Sequence, residues 1–146
     1  MKELGHYHSI ILYIPLALFV VALVWDLLYY LGRVKSLMIG HGLIILGVIA
    51  LTLTMITGFV AAFHFDSQNV YFIKHQSLSY ILLISASLYA GLRISYVVWS
   101  LPLKPIHFVF LSTLILALIS LNCDYGFLIY TSGFKNWFLV KPASEM

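Results

Sequence analysis

The stretch HSIILYIPLALFVVALVWDLL, residues 8–28, decides the fold class, because it is almost entirely apolar and its only charge is Asp26. A helix needs about 20 apolar residues to cross the hydrocarbon core of a bilayer, and this stretch is long enough. Three more apolar stretches follow it. The whole chain of 146 residues is 62% hydrophobic and 9% charged, with a mean hydropathy of +1.02. This composition excludes an ordinary soluble domain.

The sequence predicts an all-α integral membrane four-helix bundle that forms a single domain over residues 1–146. The predicted helices cover about residues 9–31, 37–63, 76–99 and 106–130. The connections between them are short and polar: GRVKS (32–36), HFDSQNVYFIKH (64–75) and SLPLKPIH (100–107). They leave no room for a soluble domain. The first apolar stretch is too long for a signal peptide, and no small-residue cleavage site follows it, so it is expected to remain as a helix.

An even number of spans places both termini on one face of the membrane, which we call side one; the opposite face is side two. Lysine and arginine are divided equally between the faces: Lys2, Lys74, Lys135 and Lys141 on side one, and Arg33, Lys35, Arg93 and Lys104 on side two. Positive charges in short loops count most in orientation. This favours side two as cytoplasmic, with the termini periplasmic in a bacterial inner membrane. The net charge of +3 forms no basic block, so nucleic acid is not expected as a partner.

Two pairs of polar residues repeat with the same spacing in the first and third helices. His8 and Asp26 are 18 residues apart, as are His75 and Arg93. Eighteen residues return a helix to the same face about 27 Å further along its axis. Both histidines are therefore expected at side one and both charges at side two. The common offset of 67 residues suggests a parallel repeat of two helical hairpins, with chance similarity between apolar helices as the alternative.

This spacing predicts an inward ion pair and a haem site. Asp26 and Arg93 are costly in lipid, so they are expected to face inward and pair. The same helix faces then bring His8 and His75 opposite each other. Two opposed imidazoles suit the axial positions of a b-type haem. Small residues along the second helix, such as Gly47, Thr54 and Gly58, would admit a macrocycle, although such a stripe on its own favours plain helix packing.

The remaining histidines allow alternatives. His41 and His107 open the second and fourth helices at an offset of 66, so they are candidates for a second haem at side two or for polar caps. His64 ends the second helix at side one and is a further candidate ligand. His8, His64 and His75 together with Asp66 could instead hold a transition metal or conduct protons. His6 is expected to be a solvated residue at the membrane interface.

The chain resembles a bacterial four-helix membrane family known as domain of unknown function 2231. In that family the first helix opens on His-Pro, continues to His-Phe-Pro and ends in Asp, and the third opens with His and closes with Arg, as His75 and Arg93 do here. The family ends in Gly-x-Leu-Val-Tyr-x-His-Gly, and this chain has GFLIYTSG (126–133). It departs from the family at Ser9, Tyr13 and Ser132, where the family has Pro, His and His. Relatives are often fused to Rieske iron–sulfur or cytochrome c domains, so the resemblance implies membrane electron transfer.

The expected function is a membrane electron-transfer subunit with bis-histidine haem b, one or two haems per chain, rather than a stand-alone enzyme. The expected partners are a larger respiratory complex, a cytochrome c or Rieske-type protein, or a quinone. Two alternatives remain open on the sequence. One is a non-catalytic scaffold subunit of a larger complex, and the other is a metal or proton conduit.

Overall fold

The computed structural model describes the backbone of residues 2–62 and 70–139, and the side chains of residues 8, 10–60, 70–129 and 131. Its elements are α1 (Lys2–Tyr30), α2 (Met38–Ala62), α3 (Val70–Trp99) and α4 (Pro105–Leu139). Within these residues, four helices have spans long and apolar enough to cross a membrane: Ile10–Tyr30, Met38–Val60, Val70–Trp99 and Pro105–Ile129. The predicted all-α four-helix fold is confirmed.

Three helix ends differ from the predicted boundaries. α1 begins at Lys2 rather than near residue 9, α3 begins at Val70 rather than near 76, and α4 continues to Leu139 rather than ending near 130. Hydropathy marks only the segment inside the hydrocarbon, whereas a helix continues into the polar interface until its sequence stops it. No proline or glycine interrupts the residues between Val70 and His75, so α3 is free to start early.

The side-two ends of α1 and α4 carry clear local signals. Gly32 has a φ of +69°, which a glycine adopts without steric cost. Its N–H donates to the Tyr29 carbonyl at 3.0 Å, and the Arg33 N–H donates to the Leu28 carbonyl at 2.8 Å. This pair of bonds is a Schellman motif and ends α1. α4 begins at Pro105, whose missing N–H costs nothing in the first turn.

The four helices form a ring in which α1 and α3 lie on opposite corners. α1 packs against α2 and α4, and α3 packs against the same two helices. The α1–α2 contact is the most extensive and the α2–α3 contact the least. A Cβ on Gly47 would lie 3.0 Å from the Phe19 ring, so the lack of a side chain there lets α2 approach α1.

The distribution of polar and apolar groups is inverted relative to a soluble protein. Only 22–28% of the residues in the most apolar part of each span are buried, and many large apolar side chains face outward. Asp26 and Arg93, in contrast, are fully buried. Charged groups inside and hydrocarbon outside are the arrangement expected when lipid is the solvent. An apolar layer that includes Phe19, Leu82 and Ile119 separates the two ends of the bundle interior.

Candidate histidine site and the buried ion pair

A small cavity lies at the side-one end of the bundle and is bounded by all four helices. His8 from α1, Met55 from α2, His75 from α3 and Asn122 from α4 line it. Because α1 and α3 lie on opposite corners, the two histidines reach this cavity from opposite sides of the bundle. The structure therefore brings His8 and His75 to one site. The cavity has a volume of about 20 Å³, which is room for about one water molecule.

His8 is oriented by the second-last turn of α2. Its Nδ1 lies 3.2 Å from Thr57 Oγ1, and the Thr57 hydroxyl donates to the Thr54 carbonyl at 2.8 Å. Because the hydroxyl proton is committed to Thr54, Thr57 Oγ1 accepts from His8 Nδ1–H. Nε2 of the neutral ring then keeps its lone pair. Burial lowers the pKa of His8 below its usual value, and the neighbouring His75 lowers it further, against a smaller opposing effect of the Thr54 carbonyl.

His75 is oriented in the same way by α4. Its Nδ1 lies 3.0 Å from the backbone carbonyl oxygen of Asn122. A carbonyl only accepts, so Nδ1 carries the proton and Nε2 has the free lone pair. In metal sites a ligating histidine almost always donates its other ring N–H to such an acceptor. Both imidazoles are thus held in the tautomer that a metal ligand requires.

Asn122 contributes a second polar group to the cavity. Its amide nitrogen donates to Ser79 Oγ at 3.0 Å, and the Ser79 hydroxyl donates to the His75 carbonyl at 2.9 Å. Asn122 Oδ1 is buried and has no hydrogen-bond partner among the described residues. Buried acceptors are nearly always satisfied, so this oxygen is available to a donor on whatever occupies the cavity.

Two glycines leave space beside the imidazole rings. A Cβ on Gly58 would lie 2.8 Å from His8 Cε1, and one on Gly126 would lie 3.4 Å from His75 Cε1. Any larger residue at Gly58 would displace the His8 ring. Two imidazoles with Nδ1 bonded to the protein are the type of donor that a haem would require from both sides.

The space between the rings is smaller than a macrocycle. Cofactor pockets generally have volumes of about 300–1,000 Å³, against about 20 Å³ here. Leu51 and Leu82 close the cavity toward the bundle core. The small residues that suggested room for a macrocycle instead lie against side chains of α1, with Gly47 facing Phe19 and Gly58 facing His8. A macrocycle would fit between the rings only if the side-one ends of the helices lay further apart than they do here.

At the side-two end, Arg93 and Asp26 form a buried ion pair. Arg93 Nη2 donates to Asp26 Oδ2 and to the Tyr89 hydroxyl, and Ser112 donates to Asp26 Oδ2 at 3.1 Å. The guanidinium carbon lies 4.8 Å from the ring centroids of both Tyr89 and Phe108. Asp26 Oδ1 and Arg93 Nε have no partner in the described part of the chain. The pairing follows from the 18-residue spacings, whereas the roles of Tyr89 and Ser112 had no signal in the sequence.

His41 and His107 have separate surroundings. His41 is buried, and its Nδ1 lies 3.2 Å from Arg93 Nη1, so it belongs to the ion-pair cluster. His107 is exposed, and its Nδ1 accepts the Lys104 backbone N–H at 3.0 Å, which caps the start of α4. These hydrogen bonds give each residue a structural role at side two. A second haem between His41 and His107 stays a sequence prediction.

Two candidate ligands, His64 and Asp66, lie outside the described residues, as does the side chain of the interfacial His6. Within the described ranges, no group of three or more histidine, cysteine or acidic side chains is placed to hold a metal ion. The four-residue metal site or proton path of His8, His64, His75 and Asp66 therefore remains a sequence prediction.

No protein-family model, no curated protein and no solved structure matches this chain. The resemblance to domain of unknown function 2231 therefore stays an expectation from short motifs.

Proposed function

We propose that this protein is a membrane electron-transfer subunit that holds one b-type haem between His8 and His75. The observation that carries the proposal is the pair of imidazoles. They come from opposite corners of the bundle, line one cavity, and have Nδ1 bonded to the protein so that Nε2 is free. Strong-field axial nitrogens on both faces are what a low-spin b-type haem needs. The haem, when bound, supplies one-electron redox chemistry.

The protein's own groups orient the ligands and exclude water. Thr57 on α2 and the Asn122 carbonyl on α4 orient the two rings and keep Nδ1 of each ring protonated. Nε2 of each ring is then free to bind a metal. Leu12, Leu51 and Leu82 form the apolar lining of the same cavity. A dry lining lowers the local dielectric and thereby tunes the redox potential.

The position of the site suggests how electrons enter and leave. His8 lies just before the span that begins at Ile10, so the site is near the side-one membrane face. A partner docked at that face has the shortest route to it. We infer a larger redox complex, a cytochrome c or Rieske-type protein, or a quinone as the exchange partner, with side one periplasmic in a bacterial inner membrane.

A single metal ion at the same cavity is the second candidate. The volume of about 20 Å³ suits an ion without any opening of the bundle, and Met55 adds a thioether to the two imidazoles. Thioether and imidazole together favour copper. A pyridine haemochrome assay combined with elemental analysis of purified protein separates the two. Haem with stoichiometric iron supports the first proposal, and copper without haem supports the second.

Replacing Thr57 with valine tests the role of the ring-orienting group. The change removes the acceptor of His8 Nδ1–H while keeping the side-chain shape. Loss of such a partner typically costs 10–100-fold in metal affinity, so we expect haem affinity, measured by titration of the Soret band, to fall about tenfold or more. The matched control is Thr52→Val on the same helix, because the Thr52 hydroxyl is exposed and bonds only the Val48 carbonyl. If the two variants bind haem with equal affinity, Thr57 has no role in orienting His8 for haem binding.

A further inference from the structure

A groove of about 420 Å³ opens at the side-two end of the bundle, far from the histidine cavity. It lies where α1 and α3 end and α2 begins. Tyr29, Lys35, His41, Tyr96 and Ser100 provide its polar lining, and Val97 is part of its apolar wall. Its volume falls within the range of ligand pockets, about 300–1,000 Å³. Nothing in the proposed electron transfer uses this groove.

His41 presents an unused hydrogen-bond donor to the groove. The residue is only 6% exposed, yet it lines the groove. Its Nδ1 faces Arg93 Nη1, and an arginine only donates, so Nδ1 accepts and the proton of the neutral ring is on Nε2. No group in the described part of the chain accepts from Nε2. An unpaired N–H on a side chain that lines the groove is available to donate to a ligand oxygen.

The charge of the groove indicates the kind of ligand that it would bind. Lys35 is exposed at the mouth of the groove, and the lining of the groove contains hydroxyls but no carboxylate. Donors and one positive charge favour an anionic head over a neutral carbonyl compound. The neighbouring surface is apolar, with Met38 63% and Val97 47% exposed toward lipid. This combination matches an amphiphile whose anionic head enters the groove while its tail stays in the bilayer.

The groove lies at the membrane depth where lipid headgroups are expected. Met38 begins the α2 span, and His41 lies one turn further in. Tyrosines such as Tyr29 and Tyr96 are typical of the membrane–water interface, where phosphates lie. Basic pockets between transmembrane helices are known sites for anionic lipid headgroups.

We propose that this groove binds the phosphodiester of one anionic glycerophospholipid, with Lys35 pairing with the phosphate and His41 Nε2–H donating to a lipid oxygen. The proposal is independent of the haem site, which lies at the opposite end of the bundle.

The test compares Lys35→Gln with Lys104→Gln in the full-length protein in detergent. Both changes remove one exposed positive charge at side two, but Lys104 does not line the groove. Native mass spectrometry is used to titrate each protein with phosphatidylglycerol, with phosphatidylcholine and with inorganic phosphate. We expect the wild type and Lys104→Gln to retain one phosphatidylglycerol, and Lys35→Gln to bind it about five-fold more weakly. Phosphatidylcholine is expected to bind more weakly than phosphatidylglycerol.

Equal losses in the two variants would show a bulk charge effect and overturn the proposal. Equal binding of phosphatidylcholine would overturn the requirement for an anionic head. Displacement of the lipid by inorganic phosphate would assign the groove to a free anion instead. Circular dichroism of both variants establishes that they fold like the wild type, since both lysines are exposed.

Discussion

Replacing Arg93 with leucine is expected to destabilise the folded bundle by about 3 kcal/mol or more. The change leaves the Asp26 carboxylate fully buried beside Ser112 and Tyr89 without its counter-charge. Asp26→Leu is expected to cost a similar amount, because it strands the guanidinium among aromatic rings. The measurement is the free energy of unfolding in mixed detergent micelles, followed by circular dichroism.

The double variant Asp26→Leu/Arg93→Leu distinguishes a paired charge from a simple packing role. Removing both charges leaves no isolated ion in the membrane interior, so the double variant is expected to be more stable than either single variant. The remaining cost comes from His41 Nδ1 and the Tyr89 hydroxyl, which lose their Arg93 donor. If the two single costs simply add, the ion pair has no energetic coupling and this account of side two is wrong.

His8→Ala and His75→Ala are each expected to remove one axial nitrogen. A six-coordinate low-spin haem then becomes five-coordinate and high-spin, or is lost altogether. The change is expected in the absorption and electron paramagnetic resonance spectra of the oxidised protein. His107→Ala is the matched control, because His107 is exposed and only caps α4, so its spectrum is expected to equal that of the wild type.

His64→Ala decides whether the right histidines have been paired. His64 is near the side-one end of α2 in the sequence and lies outside the described residues. If His64→Ala abolishes the low-spin signal while His8→Ala preserves it, the pairing of α1 with α3 is wrong. The argument from the 67-residue offset would then fail with it.

The larger features of this fold follow from simple sequence patterns. Four apolar stretches predicted four helices, and the two 18-residue spacings placed Asp26 against Arg93 across the bundle. Helix ends were less predictable, since α4 continues to Leu139, beyond the apolar span that ends at Ile129. Hydropathy describes the bilayer core, and it contains no information about where a helix stops in the interface.

The details of the histidine cavity could not be predicted in the same way. His8 bonds a threonine hydroxyl, and His75 bonds a backbone carbonyl, which leaves no pattern in the sequence. His41 was a candidate haem ligand because it opens a helix, but its hydrogen bond to Arg93 depends on packing between α2 and α3. The small residues of α2 suggested room for a macrocycle. In the structure, Leu51 of α2 and Leu82 of α3 line the small cavity that lies there instead.

The central claim is that His8 and His75 together hold one haem. Its most direct test is the spectrum of oxidised wild-type protein purified from haem-replete cells, with haem quantified per chain. The account predicts one haem per chain, six-coordinate and low-spin, with two imidazole ligands. Protein that contains no haem from such cells, or only five-coordinate high-spin haem, would contradict the claim. In the haem-free case, copper in the cavity or a purely structural role in a larger complex would take its place.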